Sequence, residues 1–120
     1  MTKILVVEDE PIIRLGLINT IEDAGYHGGE AANADHAVRA LESDSSFEIV
    51  VTDVDMPGSM DGIALAHYVR NRWPTVQMVV ISGKVGVQPG DLPDGVPFMS
   101  KPFQEPRLIA TIESLAGAGR

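Results

Sequence analysis

The chain has 120 residues, 44% of them hydrophobic, with 9 Lys and Arg against 17 Asp and Glu, a net charge of −8 and no Cys. That length suits about one domain with a core of its own, and the acidic balance disfavours nucleic acid, whose phosphates are bound by Lys and Arg. Without Cys there is neither a disulfide framework nor a thiolate zinc site, and no apolar stretch approaches the roughly 18 residues that span a bilayer.

Along the chain, apolar runs alternate with helical patterns. Residues 3–8 hold Ile4-Leu5-Val6-Val7, and Pro11 suits the first turn of a helix whose Ile12, Ile13, Leu15, Leu17, Ile18 and Ile21 run to a stop at Gly25. The first strand begins within three residues of the start, which leaves no room for a signal peptide, so the expected location is cytoplasmic. Residues 27–32 make a poor strand, rich in Gly and Ala, and Asn33 or Asp35 can cap a helix through Leu41. Phe47 to Thr52 reads as the next strand, and Gly62 to Trp73 as a helix ended by Pro74, with Ile63, Leu65, Ala66 and Val69 inward. Val76 to Ile81 and Val96 to Met99 complete five strands. A last helix fits Glu105 to Leu115, with Leu108, Ile109 and Ile112 on one face and Gly117 beyond its end.

Short apolar runs separated by helices read as buried parallel strands, joined by right-handed crossovers with helices on both faces. The expected fold class is therefore α/β, a doubly wound five-stranded parallel sheet in a single domain over residues 1–120, with no output domain. Residues 83–97 carry Gly83, Gly86, Gly90 and Gly95 with Pro89, Pro93 and Pro97. At about 3 kcal/mol per interior Pro and about 1 per Gly, this crossover is mostly loop, with at most one helical turn, so its helix is short or missing.

In a parallel sheet every strand's carboxyl end points to one edge. Glu8 and Asp9, Asp53, Ser82 and Lys101 each stand at or just past such an end. At about 5 Å and an effective dielectric near 20, each like-charge carboxylate pair costs roughly 3 kcal/mol, a repulsion that a hard cation relieves. Carboxylates, a carbonyl and water suit Mg²⁺, which leaves positions open for phosphoryl oxygens. An amine such as Lys101 is what a carboxylate needs beside it to take a phosphoryl group against anion repulsion. His27, His36 and His67 show no metal-ligand spacing, and Gly28-Gly29 lacks the Lys of a phosphate loop.

Five pieces in order, Val7-Glu8-Asp9-Glu10-Pro11, Thr52-Asp53-Val54-Asp55-Met56-Pro57, Met60-Asp61-Gly62, Ile81-Ser82-Gly83 and Lys101-Pro102-Phe103, resemble the receiver domain of two-component response regulators over essentially the whole chain. That resemblance implies the flavodoxin-like strand order 2-1-3-4-5, a doubly wound order already known for receivers, so it comes with the family and not from the spacing. It implies Asp53 as phosphoacceptor, charged from a phosphohistidine on a sensor histidine kinase or phosphotransfer protein. It implies Asp9 and Asp53 as direct Mg²⁺ ligands with the Asp55 carbonyl, and Glu8 acting through water. Lys101 would meet the phosphoryl oxygens, Ser82 would swing onto the phosphoryl group, Phe98 would be the switch aromatic, and a cis peptide would precede Pro102.

The same resemblance implies a signalling protein rather than an enzyme for a separate substrate: it takes phosphate, changes a protein-interaction face, slowly loses the phosphate to water and acts on a downstream protein not named by the residues. Three features depart from the usual receiver, the first being Glu8-Asp9 in place of the commoner pair of aspartates, a familiar variant. The loop between Asp53 and Gly62 looks one residue longer, around Gly58-Ser59, and the segment 83–97 is several residues short where most receivers carry a helix of the output face. The rival reading is a haloacid-dehalogenase-like phosphatase with Asp53 as nucleophile, since Asp53-Val54-Asp55 also resembles that family's motif. That family places its metal acids after the Lys, whereas Glu8 and Asp9 precede everything here.

Overall fold

A computed structural model describes residues 2–83 and 87–118. Its elements are β1 (Lys3–Val7), α1 (Pro11–Asp23), β2 (His27–Ala31), α2 (Ala34–Ser43), β3 (Phe47–Asp53), α3 (Gly62–Arg72), β4 (Gln77–Ser82), β5 (Phe98–Ser100) and α4 (Glu105–Ala118). The strands form one parallel sheet in the order β2-β1-β3-β4-β5. This is the doubly wound, flavodoxin-like arrangement expected from the apolar runs and the family resemblance.

Alternate residues of the strands feed two cores. Leu5, Val7, Val50, Met78 and Val80 pack with Ala37, Leu41, Leu65 and Val69 of α2 and α3. Ile4, Val6, Ile49, Val51, Val79 and Ile81 face Ile18, Ile21, Leu108 and Ile112 of α1 and α4. Because both faces are covered, Ile4–Val7 of β1, Ile49–Val51 of β3 and Met78–Ile81 of β4 are apolar at successive positions, which is why they appear in the sequence as runs rather than as an alternation.

Several boundaries differ from expectation. The weak segment after Gly25 does form β2, because its glycines make room: a Cβ at Gly29 would stand 2.7 Å from the Phe47 ring, and one at Gly28 would stand 3.2 Å from Ile18. The fifth strand is shifted to Phe98–Ser100, and the last helix runs through Gly117 to Ala118. In α1 only Ile18 and Ile21 are buried, while Ile12, Ile13 and Leu15 are exposed, so half of that apolar pattern faces outward. Asn33, not Asp35, caps α2, accepting the His36 amide at 2.9 Å.

Between β4 and β5 the described residues hold a single 3₁₀ turn, Pro89–Asp91, as the Gly and Pro content requires. Residues 84–86 of that expected loop lie outside the described residues. The turn is held to α3 by side chains: His67 Nε2 meets the Asp91 carbonyl at 2.7 Å, and Arg70 Nη1 donates to the Asp94 carbonyl at 2.8 Å.

Candidate functional site

The sheet brings the carboxyl ends of β1, β3, β4 and β5 together. Val7 pairs with Thr52 and Asp53 with Ile81, so Glu8, Asp9 and Asp53 emerge side by side at one edge. One carboxylate oxygen from each of Glu8, Asp9 and Asp53 lies within 4.8 Å of the others. Glu8 is buried, and the Asp53 side chain is only 11% exposed.

Lys101 enters from the far strand. Its amide donates to the Ser82 carbonyl at 2.9 Å, which fixes the start of the β5–α4 loop against the end of β4. The ammonium Nζ then lies 3.2 Å from Asp53 Oδ2 and 3.4 Å from Glu8 Oε1. The Lys101–Pro102 peptide is cis, as the resemblance implied. Ser82 is buried at the end of β4, opposite Ser100 in the sheet. Phe98 is half-buried, pairs with Val80 and packs on the α2/α3 core. Asp55 is exposed and meets the site through its backbone, its amide donating to Asp53 Oδ1 at 3.4 Å.

The electrostatics follow from this crowding. Burial pushes the Glu8 carboxyl up to about 7, the hydrogen bond shared with Asp9 and the charge of Asp53 add to the rise, and the Glu10 amide and Lys101 oppose it. Burial works against the Lys101 charge, but Asp53 and then Glu8 outweigh it and hold the ammonium above its ordinary value. The three clustered carboxylates form an oxygen donor set suited to a hard divalent cation, with the Lys101 ammonium beside it. The residues present therefore fit the Mg²⁺ that the sequence implied.

Three contributors to the site were not expected from the sequence. The Arg14 guanidinium reaches back from α1 to the Glu8 carbonyl, with Nη1 at 2.8 Å. Thr52, buried next to Asp53, donates its hydroxyl to the Asp53 carbonyl at 2.9 Å. Gly62 presses its backbone on that of Asp53, and its amide donates to Val54. Arg14 left one signal, a basic residue a single helical turn after Glu10 in an otherwise apolar stretch; Thr52 and Gly62 left none beyond their motif neighbours.

The chain is thus a doubly wound α/β domain with an acid cluster and a lysine at the carboxyl edge of its sheet, and similarity narrows that class. A family model described as the response regulator receiver domain matches residues 4–113. The response regulator receiver protein CpdR of Brucella abortus is 34% identical over 118 residues, covering 96% of this chain and 97% of that protein. The crystal structure of a response regulator receiver protein from Sinorhizobium medicae superposes with a TM-score of 0.92 at 28% identity, covering 99% of this chain and 97% of the other. The response regulator TrrA of Thermotoga maritima, solved in complex with Mg²⁺-BeF, gives a TM-score of 0.83 at 25% identity, covering 96% and 99%.

The chain belongs to the response regulator receiver domain family of two-component signalling. The haloacid-dehalogenase-like alternative gives way to this membership.

Proposed function

We propose that residues 1–120 act as a receiver that takes a phosphoryl group on Asp53 from a phosphohistidine in a Mg²⁺-dependent transfer. The observation that carries this reading is the ammonium of Lys101 set within 3.4 Å of both Asp53 and Glu8, in a group that includes Asp9. The Mg²⁺-BeF complex of TrrA is consistent with it.

Asp53 supplies the nucleophilic oxygen. An oxygen–phosphorus bond forms at its carboxylate as the phosphorus–nitrogen bond of the donor breaks, and the electron pair of that bond leaves with the imidazole nitrogen. When bound, Mg²⁺ neutralises the charge on the phosphoryl oxygens. Asp9 and Asp53 would hold it directly with the Asp55 carbonyl, and Glu8 through water. Lys101 supplies a fixed positive charge to a phosphoryl oxygen, exchanging its contact with Asp53 for one with the new group. Ser82 donates its hydroxyl to the same group, and this movement at the end of β4 is felt by Phe98 on the neighbouring strand. Water slowly returns Asp53 to its free form.

Ile12, Ile13 and Leu15 are exposed in the first half of α1, the helix that follows Asp9 in the chain, and offer apolar side chains on which a histidine kinase or phosphotransfer protein can dock to present its histidine to Asp53. The output is a protein contact or onward transfer of the phosphoryl group to a downstream partner.

Intact mass after incubation with acetyl phosphate tests the reading. A gain of one phosphoryl group that requires Mg²⁺ and disappears in Asp53→Asn is expected. A protein that binds Mg²⁺ and never gains mass, under conditions short enough to outrun hydrolysis, would overturn it.

A further inference from the structure

The two acids that open the site sit on a turn, and turns are ordinarily the least constrained part of a sheet edge. This one is held from three directions. The Glu8 amide donates to the Ala31 carbonyl of β2 at 3.1 Å, and the Glu10 amide donates to Glu8 Oε2 at 3.2 Å. The third restraint comes from Arg14, whose Nη1 donates to the Glu8 carbonyl at 2.8 Å.

That carbonyl belongs to the peptide unit joining Glu8 to Asp9. A peptide unit is planar and rigid, so fixing its oxygen also fixes the direction in which the chain leaves toward Asp9. Arg14 is itself anchored at a second point, its Nε donating to Glu30 Oε1 on β2 at 2.9 Å, and its side chain is 17% exposed although it stands on a surface helix. The planar guanidinium suits this bridge, because its donors diverge in a fixed fork that can hold a carbonyl and a carboxylate together. Glu30 also balances the Arg14 charge, so the tether brings no unpaired cation against the metal acids.

With Glu30 63% exposed, the Arg14–Glu30 pair lies at the surface and adds little to stability. A donor held on the one carbonyl between two metal acids is placed for orientation. We propose that Arg14 is a positioning residue for the Mg²⁺ site, holding the Glu8–Asp9 peptide so that both carboxylates face Asp53, with Glu30 as its anchor. This deepens the receiver reading above and rests on it.

Mg²⁺ titration by calorimetry, paired with acetyl phosphate labelling across a range of Mg²⁺, tests the assignment. Removing an outer partner of a metal ligand commonly costs about 10–100-fold in metal affinity. Arg14→Ala is therefore expected to weaken Mg²⁺ at least about tenfold, while saturating Mg²⁺ restores the labelling rate. Arg14→Lys, which can satisfy one of the two acceptors, falls between, and Glu30→Gln, which frees the anchor but leaves Nη1 on the carbonyl, loses a few-fold. A folded Arg14→Ala with Mg²⁺ affinity within about twofold of wild type would overturn the proposal, as would a labelling defect that no Mg²⁺ concentration repairs. Should Arg14→Ala fail to fold, an unchanged Mg²⁺ affinity in Glu30→Gln overturns it instead. If wild type binds Mg²⁺ but takes no phosphate, the receiver reaction fails while the Mg²⁺ titration still decides Arg14; if wild type binds no Mg²⁺, both fail.

Discussion

A Cβ added to Gly62 would stand 2.0 Å from the carbonyl oxygen of Asp53 and 2.8 Å from Cα of Val54. The first residue of α3 is thus pressed on the backbone of Asp53, the proposed phosphoacceptor, with the Gly62 amide donating to the Val54 carbonyl at 2.9 Å. Gly62 does not lie among the positive-φ glycines, so the requirement is for room and not for backbone conformation.

Gly62→Ala must therefore displace backbone, since no flexible side chain is there to yield. Overpacking of a tight site costs about 1–3 kcal/mol, and the displaced group here is Asp53, so acetyl phosphate labelling should slow along with the loss of stability. Gly16→Ala is the control: it sits in α1 with nothing within 4 Å of an added Cβ, and should be neutral or slightly stabilising. Denaturant unfolding of the two variants checks the pair. Equal stability of Gly62→Ala and wild type would show that the contact relaxes freely.

The buried carboxyl of Glu8 makes stability pH-dependent. Its value in the folded protein is raised to about 7 from the ordinary 4.5, so between those limits the folded state holds more protons than the unfolded chain. Stability without metal should then be greatest below about pH 4.5 as far as this group is concerned, fall as pH rises, and level off above about 7. The whole change is of order 3 kcal/mol, because each pH step of one between those limits contributes about 1.4 kcal/mol. Glu8→Gln should flatten this slope. Thermal unfolding in chelator from pH 5 to 8 would count against the cluster if wild type and variant ran parallel.

How much of this was legible depended on which force carried the information. The carboxyl ends of β1, β3 and β4 were readable because runs such as Ile49-Val50-Val51 exist only where both faces are covered, and Asp53, Glu8 and Lys101 stand at strand ends. The second strand was nearly hidden. Gly28 and Gly29 have low strand propensity, and the reason they belong there is the space needed by Phe47 and Ile18, residues distant in sequence. The periodicity of α1 misled for the opposite reason: Ile12 and Leu15 look like core but are exposed, so their apolar character answers to something other than packing. Arg14, Thr52 and Gly62 act through backbone carbonyls, and a carbonyl leaves no trace in a sequence.

Lys101 should separate metal binding from chemistry. It shares its charge between Asp53 and Glu8, occupying the electrostatic position that a divalent cation would strengthen. Lys101→Ala removes a competing positive charge, so Mg²⁺ should bind several-fold more tightly. The same change strips the phosphoryl group of its fixed ammonium, and removing one such preorganised charge commonly slows a step about 10²–10³-fold. Calorimetry and labelling together check the prediction. Weaker Mg²⁺ binding in the variant would mean that Lys101 mainly holds the acids in place.

The segment before β5 is held by contacts that a helix would have made unnecessary. His67 and Arg70 stand one above the other on α3, three residues apart, and reach the carbonyls of Asp91 and Asp94. Leu92 is buried against the α2/α3 core, and Val87, Val96 and Phe98 pack partly on it. Arg70→Ala removes a charged donor and His67→Ala a ring nitrogen, and each frees a carbonyl that solvent can satisfy, so global stability should fall by about 1 kcal/mol or less apiece. Local opening should respond more strongly. Hydrogen exchange over residues 88–98 is expected to speed up in the double variant, while exchange in β1 and β3 and acetyl phosphate labelling of Asp53 hold near wild type. An unaltered exchange pattern would mean that Leu92 and its apolar neighbours hold the segment by themselves.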